Sequence, residues 1–305
     1  MIVKYFNHTK PINFVFLSIL LSVFVLISLY LKHSLVFTSN NTIGVFLLLA
    51  SFFLFNFISK KWLTSSDKDF GILFYVLLSG LFYVPTENNS LLISNFLIYL
   101  ALIQIFNLKN KEINVKKQLF NSGLLIGIAS LFYPLSFLFL GVVLVSVFVF
   151  NHISWRSIII PFIGFIVPFL FIYVLKDLFG IVLFTKLYPL FTPSLPYLFQ
   201  STILSISSGV LLLLGLASML LIISKINTDF VFYRGFNSII ISYLIISLFI
   251  LLFDENKNGS ELIFILLPLS ILLANALSIV RSQWISNSLV FIIIGLIILN
   301  YLGIN

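Results

Sequence analysis

The 305 residues are 61% hydrophobic and 9% charged, where an ordinary soluble domain carries about 25% charged residues. With 36 phenylalanines there is too little polar surface to cover a water-soluble globule, so composition selects an integral membrane protein. The net charge of +8 lies in short connections between apolar runs, as membrane topology requires, which argues against nucleic-acid binding; the absence of Cys excludes disulfides, thiolate metal sites and a Cys nucleophile.

Apolar runs of the length needed to cross a hydrocarbon core place predicted spans at 12–31, 43–59, 70–84, 91–107, 119–133, 135–150, 157–175, 200–223, 236–253, 262–280 and 285–303. The first run is longer than a signal-peptide core and lacks a small-x-small cleavage site after it, so it is expected to stay in the protein. Several runs are short. They span if flanking Lys and Trp snorkel or if neighbouring helices shield them. The predicted fold is therefore all-α: a polytopic transmembrane helix bundle of about 11 spans, a single integral membrane domain over 1–305.

Orientation follows from Lys and Arg in the connections. With the N-terminus cytoplasmic, Lys4, Lys10, Lys60, Lys61, Lys68, Lys109, Lys111, Lys116, Lys117, Arg156, Lys225, Arg234 and Arg281 lie inside. Lys32, Lys176, Lys186 and Lys257 lie outside, which is 13 against 4. If 119–150 were one kinked helix, the later half would flip and the count would be 12 against 5. Two short helices are preferred, because one helix of that length would reach about 46 Å, well beyond the core. Either way a break is expected at Tyr133-Pro134, where proline removes a donor and disfavours helix in the residue before it.

Residues 176–199 hold Pro189, Pro193 and Pro196 among many aromatic residues. They read as an irregular outer-face segment, interfacial or re-entrant. Gly123-x-x-x-Gly127, with Ser130 on the same stripe, is a small-residue pattern that lets helices approach closely, within the bundle or between copies. Pro161, Gly164 and Pro168 share nearly one face of their span and suit either a kink beside a neighbour or a discontinuous helix that exposes backbone to a ligand. Asn56, Asn95, Gln104, Asn121, Asn237 and Asn275 fall within spans and read as interhelical hydrogen-bonding groups before pore lining.

Acids avoid the centres of the spans. Asp67, Asp69, Glu112 and Asp229 fall inside; Glu87, Asp177, Asp254, Glu255 and Glu261 fall outside. This pattern argues against a proton-coupled transporter, whose relay needs ionisable groups at depth. Asp254-Glu255-Asn256-Lys257-Asn258-Gly259 reads as a turn with solvated charges. The other reading is a divalent-cation or substrate contact completed by Glu261. His8 and His152 fall inside and His33 outside, so the three do not converge on a metal. No Walker motif, dinucleotide fingerprint or nucleophile elbow is present, and neither a cofactor nor a metal is implied.

The stretch Phe120 to Pro134, then Trp155-Arg156, Pro161 to Pro168, and the early turn Lys10-Pro11-Ile12-Asn13, resembles a family of multi-pass inner-membrane proteins of Bacteroidota defined by a domain of unknown function. The resemblance covers most of the chain and implies a bacterial inner-membrane location. Some members bear an automatic label as carotenoid-cleaving oxygenases; this sequence departs from that activity, because the iron-binding histidines are missing. The Gly-rich helix followed by Pro is also similar to the middle of polyprenyl-phosphate-dependent glycosyltransferases with the C-type fold, which place an essential acid in the first outer loop. Here that loop, Lys32 to Thr42, has no acid. The resemblance then implies a non-catalytic relative, or an enzyme in which Glu87, Asp177 or Asp254 substitutes. The preferred expectation is a non-enzymatic envelope scaffold or a carrier of a lipid-linked or apolar molecule, with the bilayer as its partner.

Overall fold

The computed structural model describes residues 6, 11–33, 39–63, 69–81, 88–110, 114–179, 202–225, 234–253, 259–279 and 283–302. Among them every regular element is helical, as expected where the surrounding solvent offers the backbone no hydrogen bonds and each segment must satisfy its own. In chain order the α-helices are α1 (Pro11–His33), α2 (Ser39–Ile58), α3 (Phe70–Leu81), α4 (Asn89–Asn107), α5 (Val115–Phe132), α6 (Leu140–Val149), α7 (Trp155–Phe179), α8 (Thr202–Lys225), α9 (Arg234–Phe253), α10 (Ile263–Ile279) and α11 (Gln283–Leu302). A π-helical turn, Ser59–Leu63, extends α2, and 3₁₀ turns Pro134–Phe139 and Ser260–Leu262 open α6 and α10. Among the described residues seven stretches are long and apolar enough to cross a membrane by length and composition: Pro11–Tyr30, Asn41–Trp62, Asn89–Asn107, Trp155–Leu175, Ile206–Ile223, Gly235–Phe253 and Ser260–Ile279. Phe70–Leu81, Pro134–Val149 and Ser286–Tyr301 are shorter apolar helices.

The chain clusters into two compact units. The first comprises 1–88, 196–234 and 256–305, and so holds α1–α3, α8, α10 and α11. Every residue of α3 is buried, and so is α10 from Ile263 through Leu277. They run antiparallel, with Gly71 at the start of α3 against Ala274 late in α10. At about 18 Å, α3 is too short to cross a hydrocarbon core alone, but its neighbours shield it from lipid. Around it, Phe14 of α1 stacks on Phe52 of α2 at 5.3 Å, and Phe55 stacks on Tyr75 at 4.3 Å. The Cβ position of Gly80 lies 2.7 Å from the Phe24 ring, a spacing that only glycine permits there.

The second unit comprises 89–195 and 235–255, and so holds α4–α7 and α9. Asn114 caps α5, its Oδ1 accepting from the backbone N–H groups of Lys116 at 3.1 Å and Lys117 at 3.4 Å. The cap draws both lysines into the first helical turn, so α5 begins four residues before the predicted span. At the other end Tyr133 is extended, φ −139° and ψ 106°, as the residue before a proline prefers. The chain then reverses. Ser136 hydrogen-bonds Ser94 near the start of α4, whereas His152 Nε2 lies 2.8 Å from the carbonyl oxygen of Leu108 just past its end. Segment 119–150 is therefore two antiparallel pieces, the second reaching about 27 Å as a 3₁₀ turn followed by α6.

The most extensive helix pairing joins α5 to α7, which run parallel. A Cβ on Gly123 would meet the carbonyl of Pro161, one on Gly127 would lie 2.5 Å from Phe165 O, and one on Gly164 would meet Phe120 O. Glycines of one helix thus sit against backbone of the other in both directions. On α7 only Ser157, Pro161, Gly164 and Pro168 are buried among the residues whose exposure is described. The prolines serve the close approach to α5, the first of the two readings that their spacing allowed. Their helix stays continuous and runs on to Phe179, past the predicted onset of the irregular segment at 176. Residues 180–199 of that segment lie outside the described residues.

Candidate functional site

Of the three candidate acids, Glu87 and Asp254 lie outside the described residues, as does Glu255. Asp177 is exposed in the last turn of α7. Glu261 is 2% exposed in the 3₁₀ turn that opens α10, where Ser260 Oγ donates to its Oε1 at 3.1 Å. Gly259 enters that turn at φ 82°, a left-handed conformation that suits glycine.

A second acid is buried where the sequence expectation placed only a cytoplasmic charge. Asp69 is 3% exposed, and Asn13 Nδ2 donates to its Oδ2 at 3.0 Å. Its backbone N–H donates to Phe6 O at 3.1 Å, and its carbonyl accepts from Leu73 N, which places it at the start of α3. The signal was available in the sequence: an Asp directly before an uninterrupted apolar run is an N-cap position. The equivalent signal for Glu261 is Gly259-Ser260 before the next apolar run.

Several serine hydroxyls within the helices bond back to a carbonyl of their own helix. Ser79 donates to Val76 O, Ser122 to Leu119 O, Ser130 to Gly127 O, Ser146 to Val143 O and Ser270 to Leu267 O, at 2.6–2.9 Å. This i−3 pattern satisfies a hydroxyl at depth and leaves it no base to activate it. Asn300 Nδ2 donates to Leu81 O at 2.6 Å, closing a carbonyl at the C-terminal end of buried α3. By contrast, Asn95 is 0% exposed and neither its Oδ1 nor its Nδ2 has a hydrogen-bond partner among the described residues, so it does not act as the expected interhelical tie there.

A cavity of about 10 Å³ lies within each unit, near the lower limit for one water molecule. In the first unit Leu21, Phe24, Ser28, Leu48, Ser79 and Tyr301 line it; in the second, Ile98, Leu102, Ile126, Phe139, Val142 and Tyr243 do. Among the described residues no three His, Asp or Glu side chains come together as a metal site requires. His152 is half-buried and occupied with Leu108 O. His8 lies outside the described residues.

These helices define an all-α integral membrane protein. The chain belongs to DUF6427, a family of unknown function, whose family model matches residues 9–304. No curated protein and no solved structure matches the chain.

Proposed function

We propose that the protein is a non-enzymatic scaffold of the bacterial inner membrane, with Lys60 and Lys61 on the cytoplasmic side. The observation that carries this reading is the packed interior of the first unit among the described residues, where α3 and α10 are buried along their lengths and Asn300 closes the carbonyl at the end of α3. A carrier of a lipid-linked molecule would need a chamber much larger than the two cavities of about 10 Å³ lined by the described residues. The bias of basic residues, 13 against 4, supports the orientation. The competing reading, a relative of the C-type glycosyltransferases, draws on Asp177, the exposed acid at the far end of α7.

Proteoliposomes carrying the full chain and a fluorescent polyprenyl-phosphate sugar separate the three. The scaffold reading expects transbilayer movement of the lipid at the protein-free rate and no sugar transfer to an acceptor peptide. Faster movement overturns it in favour of a carrier. Transfer that Asp177→Ala abolishes overturns it in favour of the enzyme.

A further inference from the structure

Basic side chains gather at the end of the second unit at which α4 finishes and α5, α7 and α9 begin. Lys109, Lys116, Lys117 and Arg156 all lie there and are exposed, and the His152–Leu108 bond ties the connection after α4 to the one before α7. Among the described residues no acid lies at this end. By sequence, the connection 108–114 contributes Lys111 and Glu112, so the balance stays positive. Two of the cations are held against aromatic rings: Lys109 Nζ stands 4.5 Å from the Phe236 ring centroid and the Arg156 guanidinium 5.4 Å from that of Trp155. Trp155 is itself 68% exposed, the placement of an indole at the level where acyl chains give way to headgroups.

From this juxtaposition we infer that Lys109, Lys116, Lys117 and Arg156 form a docking surface for anionic phospholipid headgroups, with Trp155 seated beside the bound lipid. Charge complementarity selects the occupant, since a leaflet rich in phosphodiester anions attracts clustered Lys and Arg beside a span. The amides at the start of α5 are not the attracting groups, because Asn114 Oδ1 already accepts from Lys116 N and Lys117 N. The ammonium groups beyond that cap remain to meet the phosphate. Burial also lowers the pKa of Lys109 from its ordinary value, and a bound anion would favour its charged form.

Trp155 provides the test. With Trp62 and Trp284 replaced by Phe, it is the sole tryptophan of the full chain. Reconstitution into phosphatidylcholine vesicles containing a fifth (about 20%) brominated phosphatidylglycerol should quench it several-fold, about fivefold, more effectively than the same fraction of brominated phosphatidylcholine. Replacing the four cations by Gln should bring that ratio close to one. Quenching by brominated phosphatidylcholine alone should stay unchanged, which shows that the variant still seats Trp155 at the interface. If the fourfold variant fails to fold, Lys116→Gln with Lys117→Gln, on an exposed first turn, should lower the ratio by about half. A ratio of one in the parent chain overturns the inference. So does loss of the enrichment on adding inorganic phosphate where sodium chloride of equal ionic strength leaves it, since that would mark a site for a soluble anion.

Discussion

Replacing Gly127 by Ala tests the α5–α7 pairing most directly. The added Cβ would lie 2.5 Å from Phe165 O, 3.1 Å from Phe165 Cα and 3.1 Å from Pro168 Cγ. Two of these atoms are backbone, and the third belongs to a proline ring, so none can rotate aside. Relief requires α7 to move away by about 0.9 Å before the oxygen reaches an ordinary 3.4 Å, which loosens the contact along the whole stripe. Overpacking of this kind costs about 1–3 kcal/mol, and immobile obstacles place Gly127→Ala near the upper value. Alanine's better helix propensity returns about 1 kcal/mol, leaving a net loss of about 2 kcal/mol.

Gly209 of α8 and Gly295 of α11 supply the control, because a Cβ on either meets nothing within 4 Å. The same substitution there retains only the propensity gain, about 0.5–1 kcal/mol. At about 2 °C per kcal/mol for a chain of this size, Gly127→Ala should lower the melting temperature by about 4 °C, and Gly209→Ala should raise it by about 1–2 °C. Thermal melts of the full chain in a mild detergent, followed by tryptophan fluorescence, measure both. Shifts of the same sign and size at Gly127 and Gly209 would refute the close approach of these two helices.

Two further substitutions probe polar groups at depth, in the same melts. Asn300→Leu removes the donor to Leu81 O and should cost about 1–3 kcal/mol, the penalty of leaving a buried carbonyl unsatisfied; an unchanged melt would show that the carbonyl has another donor. Asn95→Leu should act in the opposite direction, raising stability by about 1–3 kcal/mol, since the amide has no partner among the described residues. A fall would reveal a group that pairs with it.

The existence of most helices was legible because apolar runs in a membrane protein need no amphipathic pattern to be seen, only length. Their ends were less legible, for a local reason. Lys116 and Lys117 look like connection, yet Asn114 caps them into α5, and α7 carries on through Lys176 and Asp177 to Phe179. What faces what was hidden for a more general reason. Lipid and helix neighbours are equally apolar, so wholly buried α3 and largely exposed α7 read alike in hydropathy. Small residues carry the missing information. Gly123, Gly127, Pro161, Gly164 and Pro168 stood out as two stripes, and the structure shows them to be the two sides of one contact. The burial of Asp69 and Glu261 had no comparable periodic signal, because both stand in the connections.

Those two acids also show how this chain manages charge at depth. Each opens a wholly or largely buried helix, Asp69 before α3 and Glu261 before α10, at the helix end whose dipole favours negative charge. Because α3 and α10 are antiparallel, the two carboxyl groups sit at opposite ends of the first unit, separated by about 20 Å, the rise from Glu261 to the turn of Ala274 that packs on Gly71. Asn13 bonds one acid, Ser260 bonds the other, and Asn300 closes the carbonyl at the far end of α3. Polar side chains of this unit thus gather at the ends of two buried helices, and one of them, Asn300, satisfies a backbone carbonyl that water would otherwise have to reach. Among the described residues both helices are buried along nearly their whole length, and this packing is what supports the scaffold reading proposed above.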